Sequence, residues 1–279
     1  MIRLISNNFQ DTYTVDIDKF SAGETKFLLP YDGKYYNGIH WHYENDGEMF
    51  AIMCLVNEMP ALKEYLFMPY FPHARMDRTK NKNDVFTLKW FCKWLNSLNF
   101  NLIEVWDPHS DVCVALLDNV HINPIDRKIT KAIRYISADA EDKNDYIDNE
   151  FALFYPDQGA AKRYSGNGKV GNYFYSCTYG NKTREWGTNQ ITGLTIANPE
   201  VVKNKDVLIV DDICSYGGTF YRAATALKEA GARKVYLYIT HCENAIWKGK
   251  LPDSGLIEKV FTTNSIYHYL GESNWLVEV

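Results

Sequence analysis

DVLIVDDICSYGGTFYRAATALKEAGARKVYLYITH, residues 206–241, is the stretch whose reading decides the fold. Val207, Leu208, Ile209 and Val210 form a continuous apolar run of strand length, the pattern of a parallel strand covered on both faces. Phe220, Ala223, Ala224 and Leu227 recur at helical spacing, and Gly231 stands where a glycine closes a helix. Residues 235–239 make a second apolar run. The order is therefore strand, loop, helix, strand: one βαβ unit of an α/β fold. Its loop lies at the carboxyl end of the first strand, where open α/β sheets bind ligands.

That loop has two chemically different halves. Asp211 and Asp212 can accept hydrogen bonds from vicinal hydroxyls or hold a divalent cation. After Ser215 and Tyr216 come Gly217, Gly218 and Thr219, which can bring backbone N–H groups against a phosphate at the helix N-terminus. A sugar phosphate satisfies both halves. Either half alone is also what a solvated turn or a tight corner looks like. Their register between a strand and a helix carries the reading.

Outward from this unit, bulk properties set bounds. With 279 residues, 46% hydrophobic and 23% charged, the chain can build one large or two modest domains with proper cores. A formal net charge of −5 leaves no basic footprint, which argues against nucleic acid as the main partner. The six cysteines, at 54, 92, 113, 177, 214 and 242, include no Cys-x-x-Cys pair, and no signal peptide is recognised. Reduced thiols and a cytoplasmic location are the expectation. The longest apolar run, 49–56, is too short to span a bilayer, so no membrane is expected either.

Residues 1–46 read as short strands and turns. His40 and His42 flank Trp41 without a third ligand in sight, a pattern that is structural more often than metal-binding. Residues 66–109 repeat the plan of the carboxyl-terminal unit. A strand leads to a loop carrying Arg75, Asp77, Arg78, Lys80 and Lys82. A helix with Leu88, Phe91, Cys92, Leu95 and Leu98 on one face follows, then a strand that ends at Asp107-Pro108-His109. The charge cluster at 137–150 marks the boundary between two similar α/β halves, 1–136 and 137–279. The stretch 177–193 is polar and rich in turn formers, and reads as a mobile loop.

Several of these segments together resemble a known family. The Asp211–Thr219 loop looks like the ribose-phosphate loop shared by phosphoribosyltransferases and phosphoribosyl pyrophosphate (PRPP) synthetases. PYFPHARMDR at 69–78 resembles a segment that binds the ATP phosphates and ribose in PRPP synthetases and that phosphoribosyltransferases lack. Asp107-Pro108-His109 is similar to the family's Asp-x-His. PDQGAAKR at 156–163 resembles its Pro-Asp-x-Gly-Gly followed by a basic pair. Lys182-Thr183-Arg184 has the Lys-x-Arg spacing of its catalytic flexible loop. Phe20 to Glu24 looks like the hairpin that packs on adenine, and Thr240-His241 and 260–266 look like its closing segments.

The resemblance implies two type I phosphoribosyltransferase-like domains, each a central, mostly parallel sheet flanked by helices. It implies ATP as donor, with Phe20, Glu24, Arg75, Asp77, Arg78 and His109 on the nucleotide. Mg²⁺ would meet His109 and Asp157. Lys182 and Arg184 would be catalytic, and Asp211, Asp212, Ser215, Tyr216, Gly217, Gly218 and Thr219 would hold the acceptor. A homo-oligomer, dimer or hexamer, is also implied. Four positions depart from the family: Ala22, Met76, Ala160 and Tyr216. The last replaces a threonine close to the acceptor phosphate, and its ring suits a larger pocket. Some viral relatives pyrophosphorylate ADP-ribose in NAD salvage, so ribose 5-phosphate and ADP-ribose both stand as acceptors. A phosphoribosyltransferase consuming PRPP, or a catalytically silent regulatory homologue, are the alternatives.

Overall fold

The computed structural model describes the chain except residues 8–9, 31, 139–145, 165–168, 171–172, 175, 185–190 and 268–272. It divides into two compact units, Met1–Pro124 and Ile125–Val279.

The first unit begins with β1 (Ile2–Ile5), β2 (Thr12–Val15), the small hairpin β3 (Asp18–Lys19) and β4 (Thr25–Lys26), and β5 (Gly38–Trp41). Then α1 (Gly47–Glu58), β6 (Tyr65–Met68), α2 (Thr87–Ser97), β7 (Ile103–Trp106), α3 (Asp111–Leu116) and β8 (Val120–Asn123) follow. Six strands form one sheet in the order β2-β1-β5-β6-β7-β8. β1 runs antiparallel to both neighbours, whereas β5 to β8 are parallel. The helical face read from sequence is the buried one: Leu88, Phe91, Cys92 and Leu95 of α2 enter the core with Trp41, Leu66 and Val105. His40 packs its ring 4.8 Å from Phe67, and burial and the neighbouring His42 and Arg3 push its pKa down to about 4. The ring is therefore uncharged at neutral pH.

The second unit comprises α4 (Asp126–Ile136), β9 (Phe151–Tyr155), α5 (Gln158–Tyr164), the pair β10 (Lys169–Val170) and β11 (Tyr173–Phe174), and β12 (Ser176–Arg184). It continues through β13 (Ile191–Ile196), β14 (Asp206–Cys214), α6 (Gly218–Glu229), β15 (Lys234–Cys242), β16 (Val260–Thr262) and β17 (Leu276–Glu278). The seven-stranded sheet runs β13-β12-β9-β14-β15-β16-β17, parallel throughout except for the β12–β13 pair. Because both faces are covered, β9 is buried along its whole length, as the first five residues of β14 are. α6 ends as expected: Gly231 takes φ +89° and Ala232 N–H reaches back to Leu227 O at 3.0 Å, closing the helix with a Schellman motif.

Two sequence readings meet a different arrangement. The division falls after Pro124 rather than near 137, because α4 packs with the second unit: Ile129, Ala132 and Ile133 are buried and the Tyr135 ring lies 5.4 Å from Phe261. Much of the charge cluster, 139–145, lies outside the described residues. The polar stretch 177–193 is largely strand. β12 and β13 pair antiparallel from Gly180↔Ile196 to Arg184↔Ile191, with a bulge between Thr183 and Arg184. Its threonines, tyrosine and isoleucine suit an extended backbone, a preference that the polar composition hid.

Candidate functional site

In the second sheet β9 lies between β12 and β14, so chain order reverses at the β9–β14 step. Such a reversal opens a crevice outside the carboxyl ends of the two strands. The two segments singled out in this half follow those strands. After β9, Asp157 heads α5 and its Oδ1 accepts from Ala160 N at 3.0 Å. After β14 come the paired aspartates and the glycine loop.

β14 extends past the apolar run to Cys214, so both aspartates sit on strand rather than in the loop. Asp211 is half-buried and its Oδ1 accepts from Asp212 N at 3.0 Å. The Asp212 side chain is only 4% exposed, and Arg163 Nη1 donates to its Oδ2 at 2.7 Å. Sequence reasoning counted Arg163 only as half of a basic pair. Its place at the end of a short helix beside the aspartate strand was the available signal.

Gly217 then turns the chain with φ +76°, a left-handed conformation that favours glycine, and α6 starts at Gly218 with no side-chain cap. The first N–H groups of α6 therefore lack intrahelical partners and carry the positive end of the helix dipole. Gly218 and Tyr216 are exposed, Tyr216 by 59%, while Ser215 and Thr219 are half-buried. The loop is backed from behind. Leu251 packs under Gly217, and a Cβ on Gly249 would lie 2.0 Å from the Tyr216 carbonyl oxygen. Neither backing residue was legible in sequence.

Beyond the loop, the closing segments are a buried polar scaffold. Thr263 Oγ1 and Ser265 Oγ donate to Thr240 O at 2.6 and 3.2 Å. His241 Nδ1 lies 2.8 Å from Ser265 Oγ, which makes the imidazole the donor to a hydroxyl already committed to Thr240. Lys182 and Arg184 lie on β12; their side chains, and residues 185–190 beyond them, lie outside the described residues.

In the first unit the loop after β6 places Arg75 and Arg78 at the surface and buries Asp77. Arg78 holds Asp77 through two hydrogen bonds of 2.7 and 2.6 Å. Those bonds come first, with Ser110, the Arg78 charge and nearby His109 adding to them, and they bring the Asp77 carboxyl down to about 2. Ser110 also accepts from Val112 N at 3.2 Å and so caps α3, tying the loop after β6 to the loop after β7. His109 is half-buried there, next to Asp107, which is buried at φ +38°. Phe20 and Glu24 occupy the turn between β3 and β4, joined by Phe20 N–H to Glu24 O at 2.9 Å. Phe20 is 54% exposed there under the Lys26 ammonium, rather than part of a core.

Among the described residues no group of three or more His, Cys, Asp or Glu gathers as a metal site. Nor is any helix among them long and apolar enough to cross a membrane.

A reversed parallel sheet with paired aspartates and an uncapped helix N-terminus at its switch point is a place where open α/β sheets take ligands, and a helix N-terminus suits an anion. Residues 172–266 match the family model described as phosphoribosyl transferase domain. Over longer spans the chain is similar to ribose-phosphate pyrophosphokinases. It is 28% identical to that of Sulfurisphaera tokodaii, covering 78% of this chain and 71% of the relative. To that of Thermococcus kodakarensis it is 26% identical, covering 90% and 85%. The crystal structure of phosphoribosylpyrophosphate synthetase from Mycobacterium smegmatis superposes with a TM-score of 0.73 at 18% identity, over 95% of this chain and 85% of that one, and shows the shared fold. Over most of its length the chain is thus similar to ribose-phosphate pyrophosphokinases, and it shares the fold of a phosphoribosylpyrophosphate synthetase.

Proposed function

We propose that the protein is a magnesium-dependent diphosphotransferase that moves the β,γ-diphosphoryl group of ATP to the C1 hydroxyl of a ribose-phosphate acceptor. The acceptor oxygen bonds to the β-phosphorus as the bond from that phosphorus to the α,β-bridging oxygen breaks. AMP leaves with the bridging oxygen, and the hydroxyl proton is released. The observation that carries the acceptor half of the reading is the N-terminus of α6, uncapped behind a left-handed Gly217, with the two aspartates at the end of the preceding strand. It offers N–H donors for the acceptor's 5′-phosphate and carboxylates for its ring hydroxyls.

On the donor side, Arg75 would bind the ATP phosphates, with Asp77 and Arg78 keeping its loop in place and Phe20 and Glu24 at the base. Magnesium prefers oxygen ligands and keeps much of its water, so His109 would act on its hydration shell and Asp157 would be a direct ligand. When bound it would neutralise charge on the transferring phosphates. Phosphoryl transfer leaves the protein mainly positioning and charge stabilisation to supply. Lys182 and Arg184 would meet charge developing on the transferred group, the loss of one such donor typically costing about 10²–10³ in turnover.

The exposed Tyr216 favours an acceptor that extends beyond a 5′-phosphate, of which ADP-ribose is the candidate. Ribose 5-phosphate is the compact alternative. A phosphoribosyltransferase would have no use for the ordered Asp77–Arg78–Ser110 loop. The test is AMP release from Mg·ATP with each acceptor, the product identified by ³¹P NMR. AMP with either acceptor supports diphosphotransfer, and the acceptor used names the activity. Silence with both, or PRPP consumption with a base, would overturn it.

A further inference from the structure

Neighbouring residues on a strand point to opposite faces of the sheet. Asp211 and Asp212 are such neighbours, so the pair cannot act as two equivalent arms. Asp212 takes the face covered by α5, where its side chain is almost wholly buried. An ionised carboxylate removed from water is costly unless a charge is held against it. Arg163 supplies that charge at 2.7 Å from the end of α5. The guanidinium is itself held, lying 5.6 Å over the Tyr164 ring, which stacks on Tyr155 of β9 at 6.4 Å and 21°. One ion pair thus joins the segment that follows β9 to the end of β14, across the step at which strand order reverses. Asp211 is tied in as well, because its Oδ1 accepts from Asp212 N.

We propose that Arg163 is a positioning residue of the acceptor site: it fixes Asp212 as the buried, anchoring carboxylate and leaves Asp211 as the one that meets the acceptor's vicinal hydroxyls. The inference deepens the diphosphotransferase reading and rests on it. Without Arg163 the buried Asp212 carboxylate loses its guanidinium partner, the end of β14 shifts, and Asp211 and the loop at 215–219 lose their aim. ATP contacts in the other unit are left alone. A lysine at 163 restores the charge but not the planar stack on Tyr164, so it rescues only in part.

The experiment measures AMP release for wild type, Arg163→Met, Arg163→Lys, Asp212→Asn, Asp211→Asn and the Arg163→Met/Asp212→Asn double variant. The acceptor KM, the ATP KM and the thermal midpoint are read for each. Misplacement of a binding group predicts that Arg163→Met raises the acceptor KM by about ten- to a hundredfold while the ATP KM stays within about twofold. Arg163→Lys falls between Met and wild type. The double variant binds acceptor better than Arg163→Met alone, because the buried group that loses the guanidinium is then neutral. Asp211→Asn harms acceptor binding more than Asp212→Asn. Equal rises in both KM values, additive losses in the double variant, or a fall in thermal midpoint with kinetics unchanged would overturn the positioning role. A wild type silent with both acceptors would instead sink the functional reading, and this one with it. Should Arg163→Met fail to fold, the charge-keeping Arg163→Lys decides: an unchanged acceptor KM refutes the proposal.

Discussion

Replacing Gly218 by alanine separates the fold's need for glycine from the ligand's. Gly218 is the first residue of α6, its φ is not positive, and a Cβ built on it meets nothing within 4 Å. Folding alone therefore gives no reason for glycine there. A helical glycine is less favourable than alanine by roughly 0.5–1 kcal/mol, so Gly218→Ala stabilises by about that amount. For a protein of this size that raises the thermal midpoint by about 1–4 °C. If the α6 N-terminus receives a phosphate, the added methyl stands between the anion and the backbone N–H groups that hold it. Acceptor KM then rises by on the order of tenfold or more, about 1.4 kcal/mol per decade. The assay is a melting curve beside AMP-release kinetics with varied acceptor at saturating Mg·ATP. Gain of stability with loss of acceptor affinity is the expected pair. Gain of stability with full acceptor affinity would refute the phosphate cradle, because the cradle needs that surface to stay bare.

Gly249→Ala works from the opposite side of the same loop. Its φ of −87° suits any residue, but its Cβ would press on the Tyr216 carbonyl oxygen at 2.0 Å, so overpacking costs about 1–3 kcal/mol and displaces the loop. The thermal midpoint and acceptor affinity should fall together, and an unchanged midpoint would refute the packing. For Asp77, the Arg78 bonds hold the folded carboxyl near 2 against an ordinary value of 3.8, so its contribution is full above about pH 4 and lost as pH falls through 2. NMR titration of that carboxyl should give a midpoint near 2, moved toward 4 by Arg78→Met; no movement would refute the pairing. The thiols give a third check. Cys92 and Cys113 are pushed up to about 12, chiefly by burial, Cys214 and Cys242 are buried, and only Cys54 and Cys177 are half-buried. Ellman's reagent at pH 8 should find at most two fast thiols in the native protein and all six in denaturant without reductant.

What was legible in the sequence is what short-range chemistry dictates. The βαβ unit at 206–241 could be read because each of its signals is local: an apolar run, a helical stripe, and a glycine at the position where Gly231 takes φ +89°. The glycine loop was legible for the same reason. The second half's boundary was not, because a charged stretch marks exposure rather than allegiance. α4 belongs to the second unit through Ile129, Ala132 and Ile133, and amphipathic spacing does not say which sheet a stripe will meet.

The unread part of the site is the part made by topology. Nothing near Asp212 in sequence distinguishes it from Asp211; the difference comes from Arg163, 49 residues away, and from the strand order that puts α5 on one face of β14. Gly249 likewise has ordinary backbone angles and becomes indispensable only because the Tyr216 carbonyl arrives against it. An Asp-Asp-x₄-Gly-Gly motif thus announces a loop between strand and helix, while the difference between its two carboxylates waits on which helix the folded sheet lays beside them. If Asp211→Asn and Asp212→Asn proved interchangeable in acceptor affinity and in stability, burial and the ion pair would have no functional consequence, and the motif alone would describe the site.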